Sequence, residues 1–184
     1  MKLELEPTII KLNKIIPDDM TELVPNPIPY HHHKPERMTH IIIPKNIDII
    51  GSDAFELIRE EVETIDMSNS SVTIIEDRTF ANMTNLKSVK LPKNLKCIRA
   101  SVFEHCINLG SISLPLTVTE IHRAAFKGCT SLEAIYINDN CRHIASEAFK
   151  DCVNLKSVRL PAGNISVFSD TFSNCRIDLH IEYT

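Results

Sequence analysis

The apolar positions of this chain fall into columns. Phe80, Phe103, Phe126, Phe149 and Phe172 recur every 23 residues, and Phe55 precedes Phe80 by 25. Three positions after each Phe stand Ile58, Met83, Cys106, Cys129, Cys152 and Cys175. Six after stand Leu86, Leu109, Leu132 and Leu155. Nine after come Val89, Ile112, Ile135, Val158 and Ile181, and eleven after come Leu91, Leu114, Ile137, Leu160 and Tyr183. Pro92, Pro115 and Pro161 follow, and Ile98, Ile121, Ile144 and Val167 close each unit before the next Phe.

Each unit predicts the same two elements. Leu-x-x-Ile-x-Leu-Pro ends on apolar residues at period two, so it predicts a short strand. Proline stops that strand because it has no N–H for a ladder. Ala-Phe-x-x-Cys-x-x-Leu has apolar spacings of three, which predict a helical or 3₁₀ turn on the return path. One unit cannot bury both halves. Stacked units can, because every column then lies on its own copy in the neighbour.

The pattern resembles the BspA-like leucine-rich repeats, approximately Leu-x-x-Ile-x-Leu-Pro-x-x-Leu-x-x-Ile-x-x-x-Ala-Phe-x-x-Cys-x-x-Leu. The best matches run from Leu109 to Cys129 and from Leu132 to Leu155, and the resemblance covers about residues 41–184. It implies an α/β repeat fold: a right-handed solenoid of about six turns, short parallel strands on one face and short helical turns on the other. It also implies a non-enzymatic interaction module, either a surface adhesin or a cytosolic scaffold. The chain departs from the pattern in places. The Gly that often follows the closing Ile survives only as Gly51, and Asp178 takes a Leu position.

Residues 1–40 read as a degenerate N-terminal repeat and cap. Ile16-Pro17-x-x-Met20-x-x-Leu23 matches Ile43-Pro44-x-x-Ile47-x-x-Ile50, while the Phe–Cys half is replaced by a Pro-rich segment from Val24 to Pro35. Alternating prolines there favour extended structure. At the other end Ile177, Leu179, Ile181 and Tyr183 alternate with polar residues and predict a strand. An uncovered edge strand is a route to a homo-oligomer.

Composition narrows the function. The 184-residue chain is long enough for a real core and carries a formal charge of −4, which argues against nucleic-acid binding. It has no membrane-length apolar run and no signal-peptide pattern, so the expected compartment is the cytoplasm, with a cell surface as the alternative. There is no P-loop, Gly-x-Ser-x-Gly or His-Glu-x-x-His motif, and no catalytic residue or cofactor is expected.

Two features bear on chemistry. Cys106, Cys129, Cys152 and Cys175 fall at one position of consecutive turns, so they form a row. A row cannot close a tetrahedron around zinc. Buried thiols are the expectation, and a bridge between adjacent rungs is the alternative. His31, His32 and His33 are consecutive in an extended segment, which points them in alternating directions and makes a poor metal site.

The strand face remains. Side chains between the buried strand columns point outward, and the candidate protein-binding face comprises Lys87, Lys90, Ser111, Ser113, Glu133, Tyr136, Lys156, Arg159 and His180. Small residues beside charges and one aromatic suit a protein partner lying across the strands. A solvated face without a partner is the simpler alternative.

Overall fold

The computed structural model describes residues 8–11, 22–23, 38–52 and 54–183. Residues 24–37, which hold the histidine triplet, lie outside the described residues. Two strands are laid down per turn. On the first face run β1 (Thr8–Lys11), β3 (Met38–Ile42), β5 (Thr64–Asp66), β7 (Ser88–Lys90), β10 (Ala134–Tyr136), β12 (Ser157–Leu160) and β14 (His180–Tyr183). On the second run β2 (Glu22–Leu23), β4 (Ile49–Ile50), β6 (Ile74–Ile75), β8 (Cys97–Ile98), β9 (Glu120–Ile121), β11 (His143–Ile144) and β13 (Ser166–Val167). All the pairings are parallel, and equivalent residues stand opposite each other, as in Ile65–Val89 and Ile135–Val158–Ile181. This is a parallel-strand solenoid of about six turns with the register that the apolar columns require.

The alternation of each strand sets its two faces. Val89, Ile135 and Val158 point into the core while Lys87, Lys90, Tyr136 and Arg159 point out. Phe80, Phe103, Phe126 and Phe149 are fully buried between the strand faces and the return turns. Their rings form one stack with Phe55 and Phe172 at its ends, with centroids 5.1–5.5 Å apart. Each such ring contributes about 1.5–3 kcal/mol by leaving water.

The expected helical turns are not there. Among the described residues the return path holds a single 3₁₀ turn, Glu56–Ile58, inside the 25-residue unit, and no α-helix. In the units of Phe80, Phe103, Phe126 and Phe149 the segments are non-helical turns with two left-handed residues each, Arg78 and Asn82, Ser101 and His105, Ala124 and Gly128, Glu147 and Asp151, while the Phe172 unit has one, Asn174. A left-handed residue ends a helical run, so the N–H groups turn sideways and bond to the neighbouring unit. Phe80 donates to the carbonyl of Val102 at 3.0 Å, Phe103 to Ala125 at 2.8 Å, Phe126 to Ala148 at 2.8 Å and Phe149 to Thr171 at 2.9 Å. The apolar spacing of three has a local cause instead. Successive isolated i→i+3 bonds, such as Glu104 N–H to Ser101, Cys106 N–H to Phe103 and Leu109 N–H to Cys106, bring the Phe, Cys and Leu side chains onto the same inner side.

The C-terminal strand is also shorter than expected. Pairing begins at His180, so Ile177 lies before β14 and is fully exposed, and Leu179 is only partly buried. The segment before it is held by the bidentate pair of Arg176 with Asp178, at 2.7 and 2.8 Å, in place of the leucine of other units.

Candidate functional site

Every residue of the candidate face that sequence reasoning named is exposed on the first strand face. Their environments differ in a way that the residue types alone do not show. Lys87 pairs with Glu63 at 2.8 Å, Lys90 with Asp66 at 2.8 Å and Lys156 with Glu133 at 2.9 Å, each across to the preceding rung. Burial alone would raise the Asp66 carboxyl, but hydrogen bonds from Lys90 and Ser68 hold it below its ordinary value. Three of the four cations proposed for the face are thereby neutralised locally.

Arg159 is different. Its guanidinium lies over the Tyr136 ring, 5.2 Å from the centroid, and it makes no ion pair among the described residues. Glu182 stands opposite it in the register between β12 and β14 without forming one.

The rung between β7 and β10 is irregular. Gly110 to Leu114 should form the strand that joins them, and Ile112 and Leu114 do point inward. Yet the ladder breaks here, into β1-β3-β5-β7 on one side and β10-β12-β14 on the other. Among the described residues the rung itself keeps one backbone bond to its neighbour, a long one from Glu133 N–H to the Gly110 carbonyl at 3.4 Å, with Ser131 N–H to the Ile107 carbonyl at 3.1 Å just before it. The second face stays paired behind it, β8 to β9, and the Phe103–Phe126 rings keep their 5.3 Å spacing. The second ladder breaks one turn earlier, between β6 and β8, while at this rung the break is confined to the first face. Beside it lies a groove of about 510 Å³ bounded by Ile112, Ser113, Tyr136, Arg159, His180 and Glu182. Ser111 and Ser113 are thus in a gap rather than in a strand. The sequence signal was Gly110, a residue that weakens strands, at the start of that rung.

The cysteine row is structural. All six thiols are free, and those of Cys106, Cys129, Cys152 and Cys175 each donate to the carbonyl of the Phe one rung earlier, at 3.1 Å. Burial pushes the Cys106 thiol up to about 12 and drives Cys129 and Cys152 well up too, so none is a thiolate at neutral pH. Among the described residues no three His, Cys, Asp or Glu side chains converge as a metal site would need.

Sequence reasoning missed two polar features. Glu147 gathers Lys150 at 3.2 Å and Lys127 and Arg123 at 3.4 Å on the turn side. The hydrogen bond from Lys150 is the largest influence and, with that from Lys127, holds its carboxyl below its ordinary value although burial raises it. Asn138 occupies a position where other units have Pro, is fully buried, and donates to the carbonyls of Pro115 and Val118 at 3.2 and 3.1 Å. Its place in the Pro column of the repeat was the available signal.

Stacked 23-residue units with two strands per turn, a phenylalanine spine and an exposed strand face define a leucine-rich-repeat solenoid. The family model for the BspA type leucine-rich repeat region matches residues 28–69 and 59–178 in six copies, and the chain belongs to this family. No curated protein matches it. Among solved structures it is similar to a leucine-rich repeat protein from Bacteroides ovatus, at 28% identity and a TM-score of 0.65, over 78% of this chain and 45% of that one. It is also similar in fold to a leucine-rich repeat protein of T. pallidum (22%, TM-score 0.64, 80% of this chain and 74% of that one). The pneumococcal vaccine antigen PcpA shares the fold as well (17%, TM-score 0.54, 83% and 50%). The chain thus spans less than half the length of the B. ovatus protein. No helix among the described residues is long and apolar enough to cross a membrane.

Proposed function

We propose that the chain is a non-enzymatic module that binds a protein partner across its strand face, centred on Tyr136 and Arg159. The observation that carries this reading is the groove of about 510 Å³ beside the broken ladder, where an aromatic and an unpaired cation stand together. Such a pair is the composition of an interface hot spot. The neutralised lysines further along the face argue against a nucleic-acid partner, since they leave little excess charge for phosphates. The reading serves a cytosolic scaffold and a surface adhesin alike, because the face is the same in either setting.

The test compares two variants at equal melting temperature. Glu133→Lys with Tyr136→Ala alters the strand face, and Arg123→Glu alters the turn side. A partner retained from host extract by the wild type and by the turn-side variant should be lost by the strand-face variant. Retention by the strand-face variant, with loss from the turn-side one, would overturn the reading.

A second reading is self-association through β14. All four of its residues are exposed, and it pairs with β12 on one side only. Light scattering coupled to gel filtration decides this: a monomer at tens of micromolar sinks it.

A further inference from the structure

The two strand ladders are interrupted one turn apart. On the second face β6 and β8 do not pair, and on the first β7 and β10 are separated by the unpaired rung 110–114. The bonds missing among the described residues are ones that other turns make. On the second face Glu76 and His122 donate to the preceding turn at Ile50 and Ile98, but the equivalent Arg99 N–H has no such bond. On the first face Met67 and Ile137 donate to the following turn at Lys90 and Arg159, but the equivalent Leu91 and Leu114 do not.

The core is loosest at the same place. Val89, Leu91, Ile112 and Leu114 keep 6, 8, 9 and 6% of their surface exposed, against 1% for Ile65, Val158 and Leu160 in the same columns. Side chains do not bridge the first-face gap either. Lys87–Glu63 and Lys90–Asp66 tie rungs before it, and Lys156–Glu133 ties rungs after it. Gly110, Ser111 and Ser113 between them carry no charge to pair.

The turn side is continuous. Arg78, Phe80 and Asn82 donate to Ala100, Val102 and Glu104, and Ser101, Phe103 and His105 donate to Arg123, Ala125 and Lys127, at 2.7–3.0 Å. The rings of Phe80, Phe103 and Phe126 keep their 5.3 Å spacings. The second-face gap is spanned only by side chains, Arg99 with Glu76 and Asp77 with the Ala100 N–H at 3.1 Å. A stack joined along one side and open along the others bends about the joined side. The stagger selects the pivot. In the turn that carries β7 and β8, the first strand belongs to the N-terminal ladder and the second to the C-terminal ladder.

We propose that this turn, residues 88–98, is a hinge. Residues 38–87 and 99–183 move as two bodies about the continuous turn side, and the motion opens and closes the strand face at the rung Gly110–Leu114. The inference goes beyond the binding reading and does not depend on it: the hinge sets the curvature of the strand face whether or not a partner lies there.

Residual dipolar couplings of the backbone amides, measured in two alignment media, read the motion in the unaltered protein. The two bodies are fitted separately. They should give alignment tensors of unequal magnitude, with relaxation dispersion on the microsecond-to-millisecond timescale confined to residues 88–98 and 110–114. One tensor fitting both bodies would overturn the proposal, as would dispersion spread evenly over all the turns. Gly110→Val tests the cause. A Cβ there has room, its nearest neighbour being the Ser131 carbonyl at 3.9 Å. Valine favours a strand, so the open population should fall about fivefold, the span of the strand-propensity scale. Ser113→Thr, in the same exposed rung, takes its place should the valine variant not fold. Dispersion left unchanged by a folded variant would also sink the hinge.

Discussion

The thiol of Cys129 donates a hydrogen bond to the carbonyl of Phe103 across 3.1 Å. The same carbonyl already accepts the N–H of Cys106, so the thiol fills its second lone pair in a site closed to water. In four of the six units the column thus adds a donor to an inner carbonyl; Ile58 and Met83 fill the same column without one. Cys129→Ala, which removes the sulfur and its donor without overpacking the row, should cost about 1–3 kcal/mol in urea unfolding. Thiol labelling of the native protein at mildly alkaline pH should reach Cys97 and Cys175, which are partly exposed, before any other. Cys106, Cys129 and Cys152 should react only on unfolding. Fast labelling of Cys129 in the folded protein would contradict this account.

The phenylalanine spine concentrates stability at its centre. Phe126 is fully buried, with Phe103 at 5.3 Å on one side and Phe149 at 5.1 Å on the other. Phe126→Ala should lower the unfolding free energy by about 3–5 kcal/mol, cavity included. The shift of the urea midpoint measures it.

Spacing made the solenoid legible before any coordinates, because a column of Phe at constant interval has one economical packing. It did not distinguish a helical turn from the turns found here. Both place apolar residues three apart, and the difference lies in left-handed residues: Arg78, Ser101 and Glu147 have no strong preference for that conformation, whereas the column Asn82, His105, Gly128, Asp151 and Asn174 does and was the available signal. The outward residues of the face followed from strand alternation. Which of them are already engaged did not, since Lys87 and Arg159 look alike in sequence and differ only in what the preceding rung offers: Glu63 to one, Tyr136 to the other.

Gly128 is required by a neighbour more than by its backbone. Asn82, His105, Asp151 and Asn174 hold the same position in other units with φ of 58–62°, so side chains are tolerated there. At Gly128, with φ of 72°, a Cβ would overlap Nδ1 of His105. Gly128→Ala should cost about 1–2 kcal/mol from its left-handed backbone, plus the displacement of His105. Adding His105→Ala should recover the second part, seen as positive coupling in a double-mutant cycle of thermal unfolding.

Glu147 links stability to acid. Its lysine contacts depress its folded-state value below the ordinary 4.5, so folding favours the ionised form. The contribution is complete above that ordinary value, shrinks as the pH falls through the interval below it, and vanishes beneath the folded value. Glu147→Gln should therefore melt below the wild type at about pH 6, with the gap narrowing as the pH falls below the ordinary carboxylate value. A gap that persists in acid would mean the lysine contacts are not its source.

The sideways N–H groups of the turns, such as those of Phe80, Phe103, Phe126 and Phe149, share one sense, each donating to the unit that follows it in the chain. This gives the protein a copying rule. Excising residues 104–126 in frame would leave Phe103 followed by Lys127-Gly128-Cys129, and each remaining donor would still face an acceptor. Excising one residue would shift every later side chain out of its column. Lengthening by whole-unit duplication is thus nearly neutral, while single-residue indels inside a unit are not, and a lineage of such chains would vary in steps of 23 residues.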